Sequence, residues 1–544
     1  MIVQSIELKN RNKLVRQYVN GELEDLFAYD PFNDTKKRIA HLQERHFPRQ
    51  ELATHLRAMN EKWQAPEATL NEIERLRDER SVVVIGGQQA GLLSGPLYTV
   101  HKIISIIKYA REQEELLGIP VIPVFWIAGE DHDYDEINHI FTQADGQLNK
   151  RIIGQVEWEK KSISHIPLDE KLTKEWLKQV FNDLAETEHT RYLASSIFEA
   201  VEESNSFVDF FARIIFQLFK EEGIVLVDAA DEGIRYLERE RFVQLIDKQE
   251  EITEAIFTRA EKLSQAGHAV QVDVSQSDAN LFYHNDQEER ILLMRQEDRW
   301  VGKYDEVSFS TEEMLSIAKR EPDRLSNNVM TRPLMQEALF PTLAFVAGDG
   351  EISYWALLKD AFPRFDSQMK MPPILPRLSI TLLTKRVNKL VKHRRLELAD
   401  VVNEGCRHLS MNWLASKQNP PVDTLFNEAE AHIADIHKPI QALSTSLSPD
   451  LGAAAERNLE NITKELDYLR NRMNRQLEEK YDQELEQFEE IQLFLRPNDG
   501  LQERTLNILF FLNECGFDFI QKIIACDIPF TKDHHIISLE ELSI

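Results

Sequence analysis

The sequence predicts an α/β fold in which a doubly wound parallel sheet carries insertions and is followed by a long helical arm. Three observations lead to this fold class. A β-branched run (SVVVI, from Ser81) precedes a glycine-rich stretch and an amphipathic helix. A second apolar strand (IPVIPVFWI) follows that helix and completes a βαβ unit. From about residue 388 the pattern becomes helical and remains so.

The length of 544 residues divides into four predicted segments, because single cores stop growing beyond roughly 250–300 residues. Residues 1–80 are predicted to form polar helices that pack on the core. Residues 81–390 are predicted to form the catalytic α/β domain, with an insertion at about 150–325. Residues 391–495 are predicted to form the helical arm, and residues 496–544 a tail that returns to the core.

The arm has the apolar spacing of a coiled coil. Two sets of apolar residues recur at steps of three and four around a break at Ser448-Pro449-Asp450: first Leu425, Ala429, Ile433, Ile436, Ile440, Leu443 and Leu447, then Leu459, Ile462, Leu466, Leu469 and Met473. The rest of each helix is charged, which disfavours a buried helical bundle. The pattern therefore predicts an antiparallel two-helix arm and a homodimer contact along its narrow apolar seam.

Composition excludes several function classes. Lys plus Arg number 64 and Asp plus Glu number 92, which gives a net charge of −28 and argues against a nucleic-acid or anionic-membrane partner. The cysteines, Cys406, Cys515 and Cys526, are too few and scattered for a disulfide framework or a thiolate zinc site. With neither a secretory signal nor a membrane span in the pattern, we expect a cytoplasmic protein.

The glycine-rich stretch after the first strand is the first candidate site. It reads GGQQAGLLSGP and contributes the candidate binding residues Gly87, Gln88, Gln89, Gly91, Ser94 and Gly95. Backbone N–H groups at a helix start favour an anion. The spacing matches neither the dinucleotide nor the P-loop motif. The alternative is a tight turn between strand and helix.

Two residues of the following helix extend this candidate site. Tyr98 and His101 are three residues apart, which places them on one helix face near the strand ends. We expect His101 to stabilise charge on a bound anion, although a packed histidine is the ordinary alternative.

An acidic stretch, GEDHDYDEINH, follows the second strand, where the crevice of a βαβ unit opens. Its candidate residues are Glu130, Asp131, His132, Asp133 and Glu136. Three uses remain open: binding a divalent cation, binding an amine or hydroxyl groups, and acid–base catalysis. Acids that merely complement a helix dipole are the structural alternative.

Two further stretches supply candidate binding residues. The first contains Asn328, Arg332 and Gln336, and its arginine is suited to bidentate recognition of a carboxylate or phosphate, with a surface salt bridge as the alternative. The second follows another predicted strand and contributes Gly350, Glu351, Tyr354 and Trp355. Core packing is the alternative for Trp355.

Together these motifs resemble one family, the bacillithiol biosynthesis cysteine-adding enzymes of Firmicutes. The resemblance covers nearly the whole chain and rests on GGQQAGLLSGPLYTVHK, FWIAGEDHDYDEINH, MTRPLMQEALFPTLAFVAG, GEISYWALLK and RPNDGLQER. It implies a Rossmann-like core with connecting-peptide insertions, similar to class I aminoacyl-tRNA synthetases and nucleotidylyltransferases. It also implies a dimerising coiled coil, and the addition of cysteine to glucosaminyl malate.

The resemblance to class I synthetases carries over only in part. The HIGH motif of those enzymes corresponds to the segment that ends at His101, where one histidine stands instead of two. Their KMSKS loop has no good copy, and Lys385 belongs to the nearest basic cluster. The family loop usually reads GPGE, whereas this chain has an additional acid, Asp349, in Gly348-Asp349-Gly350-Glu351.

The predicted function is a ligase that joins the carboxyl group of cysteine to the amine of glucosaminyl malate. Because amide formation from a free carboxylate is uphill in water, we expect activation by ATP, with Mg²⁺. His101, Asp131, His132 and Asp133 are the candidate catalytic residues, and Arg332 is expected to bind a malate carboxylate. No resident metal is predicted. The alternatives are a metal-dependent hydrolase or transferase that uses residues 130–139, and a non-enzymatic coiled-coil scaffold.

Overall fold

The computed structural model describes residues 1–9, 11–144, 146–270 and 272–539 and divides them into two compact units. The first unit contains residues 1–144, 148–384 and 502–539. The second contains residues 385–501, together with 146–147. The main boundaries lie a few residues from the predicted ends of the arm at 391 and 495.

The N-terminal segment is mainly helical, as predicted, but it opens with a strand. Its elements are β1 (Ile2–Ile6), α1 (Lys13–Val19), α2 (Thr35–Gln43), α3 (Arg49–Lys62) and α4 (Glu67–Arg75). Strand β1 pairs antiparallel with β15 (His534–Ser538), near the other end of the chain. Strand β1 was not predicted, because the local sequence pattern does not indicate a partner strand so far away in the chain.

The elements of the core and its insertions follow in chain order. The first group is β2 (Val82–Gln88), α5 (Leu97–Leu117), β3 (Val121–Ile127), α6 (Tyr134–Ile137), β4 (His139–Ala144), β5 (Gln147–Ile152), α7 (Glu170–Asn182), α8 (Thr190–Glu202), α9 (Phe207–Leu218), β6 (Val225–Asp228), α10 (Glu232–Asp247) and α11 (Gln249–Gln265). The second group is β7 (Asp278–His284), β8 (Arg290–Gln296), β9 (Arg299–Gly302), β10 (Ser308–Ser310), α12 (Thr311–Arg320), β11 (Leu325–Asn327), α13 (Arg332–Leu339), β12 (Thr342–Ala347), α14 (Asp349–Trp355), α15 (Ala361–Phe365), β13 (Ile374–Pro376) and β14 (Ser379–Leu383).

The remaining elements are helices of the second unit and the C-terminal part of the first. The second unit contains α16 (Lys385–Arg394), α17 (Leu398–Glu404), α18 (Arg407–Ala415), α19 (Val422–Leu447), α20 (Pro449–Lys480) and α21 (Asp482–Leu495). The chain then returns to the first unit with α22 (Ile508–Cys515), α23 (Asp518–Ala525) and β15.

The central sheet is parallel and has the order β13-β12-β2-β3-β6. The chain runs outward from β2 through β3 to β6, and then returns to run outward on the other side through β12 and β13. This is the doubly wound order of a Rossmann-like fold, so the predicted fold class is confirmed. Strands β2 and β12 flank the switch point at which the order reverses.

Two glycines that we assigned to the loop lie inside β2. Gly86 is in register with Phe125, and Gly87 with Trp126, on the neighbouring strand β3. A Cβ on Gly86 would lie 2.7 Å from the backbone oxygen of Val346, and one on Gly87 would collide with the carbonyl oxygen of Trp126. These glycines therefore permit close strand packing.

The predicted insertion at 150–325 is not continuous. Strand β6 returns to the central sheet in the middle of that range. The part beyond it builds a separate antiparallel sheet of order β10-β9-β8-β7-β11. A third sheet, β1-β15-β14, joins the two ends of the first unit.

In the second unit, α19 and α20 form an antiparallel hairpin. Contacts run in opposite directions along the two helices, from Glu430–Arg470 to His437–Asn458. The predicted seam only partly matches the contact between the helices. Phe426 and His437 are buried, whereas Ile436, Ile440, Leu443 and Leu447 form an exposed apolar stripe along α19. A pattern of threes and fours does not distinguish these two faces.

No helix among the described residues combines the length and apolar character needed to cross a membrane.

The close packing at Gly87 can be tested by replacing it with alanine. We expect Gly87→Ala to reduce the free energy of unfolding by about 1–3 kcal/mol, because the new methyl group overpacks the contact between β2 and β3. Chemical denaturation followed by tryptophan fluorescence measures this change. Gly154→Ala is the control, since only a Leu172 methyl group approaches that position, at 3.8 Å. Equal stability of both variants would contradict the prediction.

Candidate active site

The candidate site lies at the carboxyl ends of β2 and β12, where the strand order reverses. Ligands of doubly wound sheets bind in the crevice at this point. Gln88 ends β2, and Gly348 follows β12. Helices α5 and α13 run antiparallel to the strands, so their first turns lie at the same edge.

Lys102, which is not among the predicted site residues, is a buried cation at this edge. Its ammonium donates to the Gly87 carbonyl (2.7 Å), to Gln88 Oε1 (3.1 Å) and to Glu351 Oε2 (2.5 Å). Burial lowers the pKa of Lys102, and the Glu351 carboxylate opposes that shift. Lys102 thereby links the end of β2 to α14. Its position four residues after Tyr98, on an otherwise apolar helix face, was an available signal.

The loop from Gly91 to Gly95 is a compact turn. Leu93, Ser94 and Gly95 have positive φ values of 52°, 74° and 69°. A Cβ on Gly91 would lie 2.8 Å from the Gly95 Cα. The Ser94 hydroxyl is buried and has no hydrogen-bond partner within the described part of the chain.

The C-terminal part of the chain occupies the start of α5. The N–H of Leu97 donates to the carbonyl of Leu506 (2.9 Å), and the Asn507 amide donates to the carbonyls of Leu93 (2.9 Å) and Gly95 (2.6 Å). In the predicted anion site, the first backbone N–H group of the helix is therefore already hydrogen-bonded. The tight-turn alternative fits this loop, and its role in anion binding stays a prediction.

His101 and Tyr98 have different surroundings despite their shared helix face. His101 is fully buried, with Nδ1 3.0 Å from Glu503 Oε2, and burial lowers its pKa. Tyr98 is partly exposed, and burial and the charge of Glu136 raise its pKa. The Arg377 guanidinium lies 5.9 Å from the Tyr98 ring. The prediction that His101 faces the crevice is not met, because α5 is buried on the side that carries it.

Glu503 is the centre of the buried network behind the crevice. Its carboxylate accepts from both Arg377 nitrogens (2.9 and 2.6 Å), the Ser379 hydroxyl (3.0 Å) and the Ile380 N–H (3.1 Å). Burial alone would raise the pKa of Glu503, but Arg377 and His101 hold it well below the ordinary value. Glu503 belongs to the RPNDGLQER motif, which thus anchors the returning chain.

Within the acidic segment, Glu130 has a structural role. It is buried, pairs with Arg235 and accepts the Asn327 N–H (3.1 Å). Arg235 also donates to Glu238 (2.5 Å). This predicted binding residue is therefore enclosed in an ion-pair network at the end of β3.

The other acids of the segment face the glycine loop. The Gln89 amide donates to Glu136 Oε2 (2.8 Å) and lies 3.4 Å from Asp131 Oδ2. Partial desolvation raises the pKa of Glu136, and Asp133 and Asp131 add to this shift. Asp133 is exposed. Glutamine and carboxylates thus line one wall of the crevice.

His132 lies beside Arg290, which is also not among the predicted site residues. Its Nδ1 is 3.0 Å from Arg290 Nη1, and its side chain is 29 % exposed. Burial lowers the pKa of His132, as does Arg290, while Asp131 opposes the shift. Arg290 comes from the inserted sheet, more than 150 residues away, so no local motif indicated it.

Asp228 ends β6 beside the acidic segment. Its carboxylate accepts from the Ser164 hydroxyl at 2.7 and 2.9 Å, and burial raises its pKa to about 6. Gly129 has no room for a side chain, because a Cβ there would collide with both residues. Asp228 lies in the apolar segment GIVLVDAAD (residues 223–231) and is not among the predicted site residues.

Arg332, at the start of α13, supplies a cationic group at the same edge of the sheet. Its guanidinium donates to Gln336 Oε1 (3.0 Å) and to the Tyr354 hydroxyl (2.8 Å), and it lies 5.3 Å from the Phe345 ring. Within the described ranges it has no carboxylate partner. A partly exposed guanidinium held only by neutral groups is suited to an anionic ligand.

Other predicted binding residues lie outside this arrangement. Asn328 orders its own turn by accepting the N–H groups of Met330 (2.9 Å) and Thr331 (3.1 Å). Gly350 is exposed in the first turn of α14. Trp355 is fully buried and packs on Phe345, with ring centroids 4.5 Å apart. These residues shape or support the fold around the crevice.

Lys385 is exposed at the start of α16, in the second compact unit. Its role with a nucleotide stays a prediction. Within the described ranges no group of three or more His, Cys, Asp or Glu residues is arranged to hold a metal ion.

Comparison with known proteins places both units in one family. Residues 1–378 match the family model "Bacillithiol biosynthesis BshC, N-terminal Rossmann-like domain", and residues 380–539 match "Bacillithiol biosynthesis BshC, C-terminal coiled-coil domain". Curated relatives carry the provisional name cysteine ligase BshC. They include proteins of Oceanobacillus iheyensis (39 % identical, 98 % of this chain and 99 % of the relative), Geobacillus kaustophilus (40 %, 99 % and 100 %) and Bacillus cereus (38 %, 97 % and 98 %).

The Glu503 network predicts a pH-dependent contribution to stability. Because the folded-state pKa lies below the unfolded one, this contribution is complete above the unfolded pKa and is lost as the pH falls through the folded pKa. At neutral pH we expect Glu503→Gln to cost about 3–5 kcal/mol, since it leaves Arg377 buried and unpaired. Denaturation measured across acidic pH should also show a flatter decline for this variant.

Glu74→Gln is the control for this substitution. Glu74 pairs with Arg57 and Arg77 at the surface, where ion pairs contribute little. A loss of stability no larger for Glu503→Gln than for Glu74→Gln would refute the assignment of Glu503 as a buried anchor.

Proposed function

Since this chain belongs to the bacillithiol biosynthesis BshC family, we propose that it is a ligase that adds L-cysteine to glucosaminyl malate, the last step of bacillithiol biosynthesis. The bond formed is an amide between the cysteine carboxyl group and the sugar amine. The observation that carries this proposal is a crevice at the switch point with cations on one wall and carboxylates on the other.

The cationic wall suits the anionic parts of the reactants. Arg332 offers two guanidinium nitrogens held only by neutral oxygens. The nearby Lys102 and Arg377 are each paired with a carboxylate of their own, Glu351 and Glu503, so Arg332 is the cation of this wall that is open to an anionic reactant. Malate carries two carboxylates, and an activated cysteine carries further anionic groups. We propose that Arg332 binds a malate carboxylate in a bidentate manner.

The acidic wall suits the amine. Asp131 and Glu136 face Gln89, and Asp133 is exposed beside them. A carboxylate at this wall attracts the ammonium form of the sugar amine. After that form has lost one proton to solvent, the neutral amine attacks, and the carboxylate accepts its second proton as the carbon–nitrogen bond forms. Asp131 is our candidate for this proton acceptor, because it lies between Gln89 and His132.

The amine attacks only an activated carboxyl group, because condensation of a free carboxylate is uphill in water. We propose that ATP, with Mg²⁺, supplies this activation. The cationic wall, rather than the start of α5, is the fitting place for phosphate oxygens, since the Leu97 N–H is already bonded. His101 then acts indirectly, by orienting Glu503 and with it Arg377.

The proposed reaction is tested with purified protein, cysteine and glucosaminyl malate, with and without ATP and Mg²⁺. We expect a product with the mass of the amide, formed with stoichiometric loss of ATP. Product without ATP would contradict the activation step alone. If no condition yields product, the ligase function itself is refuted.

Arg332 provides the residue-level prediction for this site. Arg332→Met should raise KM for glucosaminyl malate about ten- to a hundredfold, because the charged hydrogen bonds to the malate carboxylate are lost. KM for cysteine should change much less. Arg299→Met, at an exposed position on β9, is the control. Equal increases for both substrates would contradict malate recognition by Arg332.

We also propose that the chain forms a homodimer through the exposed apolar stripe of α19. Ile436, Leu443 and Leu447 are each more than 60 % exposed in the single chain, which is unusual for side chains at this spacing. Together with Ile440 they recur at steps of four and three, the spacing of a coiled-coil interface.

Sedimentation at micromolar concentration tests this dimer. We expect a dimer for the native sequence and a monomer for the double variant Leu443→Glu and Leu447→Glu, because buried carboxylates would oppose association. Leu116→Glu, at an exposed leucine near the end of α5, should remain dimeric. A native monomer would remove the proposal.

A further inference from the structure

Arg290 joins the inserted antiparallel sheet to the acidic segment of the core. Its guanidinium donates to Ser326 Oγ (3.1 Å) and to the Asn327 carbonyl (2.7 Å), while Nη1 lies 3.0 Å from His132 Nδ1. The Phe282 ring lies 3.7 Å below the guanidinium carbon. The same Nη1 also lies 3.4 Å from Asp131 Oδ1. Arg290 is only 6 % exposed, and these neighbours hold its guanidinium against His132.

The chemistry of this contact determines the tautomer of His132. A guanidinium has only donors, so the ring nitrogen that faces it must accept. Nδ1 is therefore unprotonated, and the proton of the neutral ring resides on Nε2. Within the described part of the chain, no residue accepts from Nε2. The histidine is thus a donor with its N–H uncommitted, on a side chain that is 29 % exposed.

We propose that Arg290 is a positioning residue that holds His132 as a neutral imidazole whose Nε2–H donates to the acyl oxygen of the activated cysteine. This inference rests on the proposed ligase function. As the amine nitrogen bonds to the acyl carbon, the carbonyl electron pair moves to the oxygen that His132 stabilises. The amine proton passes to Asp131, and the activating phosphate group leaves with the electrons of its bond.

Burial, followed by the charge of Arg290, lowers the pKa of His132 and disfavours its protonated form. Arg290 and Lys160 face the ring with positive charge, whereas Asp131 and Asp133 face it with negative charge. His284 lies on neighbouring β7, and burial with nearby cations lowers its pKa to about 3, so it is neutral at physiological pH. A second proton, added on Nδ1 to a ring already protonated on Nε2, would place two cations 3.0 Å apart and break the bond to Arg290.

A protonated ring would instead turn toward Asp131, whose Oδ1 lies 3.8 Å from Nδ1. The form of His132 that can act in the proposed reaction is therefore the neutral imidazole. This neutral form is retained to a lower pH than in a free histidine, because the pKa of His132 is lowered. This assignment makes His132 an electrophilic donor, in contrast to the common role of histidine as a general base. An imidazole in this tautomer has no free lone pair toward the substrate.

Two isosteric substitutions distinguish the donor from a base. The amide nitrogen of His132→Gln overlaps the position of Nε2, whereas the amide of His132→Asn reaches only the position of Nδ1. We expect His132→Gln to retain most of the kcat, and His132→Asn to lose about a hundred- to a thousandfold, the usual effect of removing an oxyanion donor. Glutamine and asparagine variants with equal losses would overturn the proposal. The exposed His46→Gln is the control.

A spectroscopic measurement on the full chain tests the tautomer directly. In protein labelled with ¹⁵N-histidine, the His132 signals are those that disappear in His132→Gln. We expect Nδ1 to be unprotonated and Nε2 protonated at neutral pH, with the acidic transition moved to higher pH in Arg290→Met. Protonated Nδ1 in the native chain would overturn the proposal, even if Arg290→Met failed to fold.

The two tests separate this inference from the proposed function. The nitrogen spectrum is recorded without substrates, so it reads the tautomer whether or not ligation occurs. The opposite tautomer in an active ligase would overturn only the role of Arg290 and His132. Absence of any amide product from the native chain would overturn the ligase function and, with it, the acyl-oxygen contact.

Discussion

The buried carboxylate of Glu503 is the interaction on which the geometry of the crevice depends. It connects α5 through His101, the loop before β14 through Arg377, and β14 itself through Ile380. A buried charge is tolerated only when its partners satisfy it, and this one has five described hydrogen bonds. Because Arg377 also approaches Tyr98, the position of the crevice wall follows from this anchor.

The crevice combines charges of both signs at one edge of the sheet. Lys102 and Arg332 are supplied by helices, whereas Asp131 and Glu136 are supplied by the segment after β3. Gln89 lies between them and contacts both acids. Cationic and acidic groups are thus separated within one edge of the sheet, so the local charge beside Arg332 differs from the net charge of −28 of the whole chain.

The sequence predicted the features that depend on local pattern. Strands β2, β3 and β12 were predicted because parallel strands buried on both faces read as continuous apolar runs. The switch-point crevice followed from their order along the chain. The surroundings of individual residues were harder to predict. His101 is buried by Glu503, which is 402 positions distant, and Arg290 reaches His132 from 158 positions away.

Glycines illustrate the same limit. Their density after the first strand predicted an anion site, whereas two of them relieve contacts between β2 and its neighbours. The number of glycines indicated an unusual segment. Why glycine is needed at these positions depends on residues of neighbouring strands, which approach only in the assembled sheet. The heptad spacing of α19 was ambiguous in a similar way, since an inner face and an outer face share one periodicity.

The return of the chain after α21 has a consequence for biosynthesis. Leu506 and Asn507 hold the loop from Leu93 to Gly95, and Glu503 anchors α5. During translation, every other wall of the crevice emerges from the ribosome before these residues do. The entire second unit is synthesised in the interval. The crevice of the nascent protein is therefore incomplete for most of its synthesis. This edge of the sheet is completed only when the last tenth of the chain has been made.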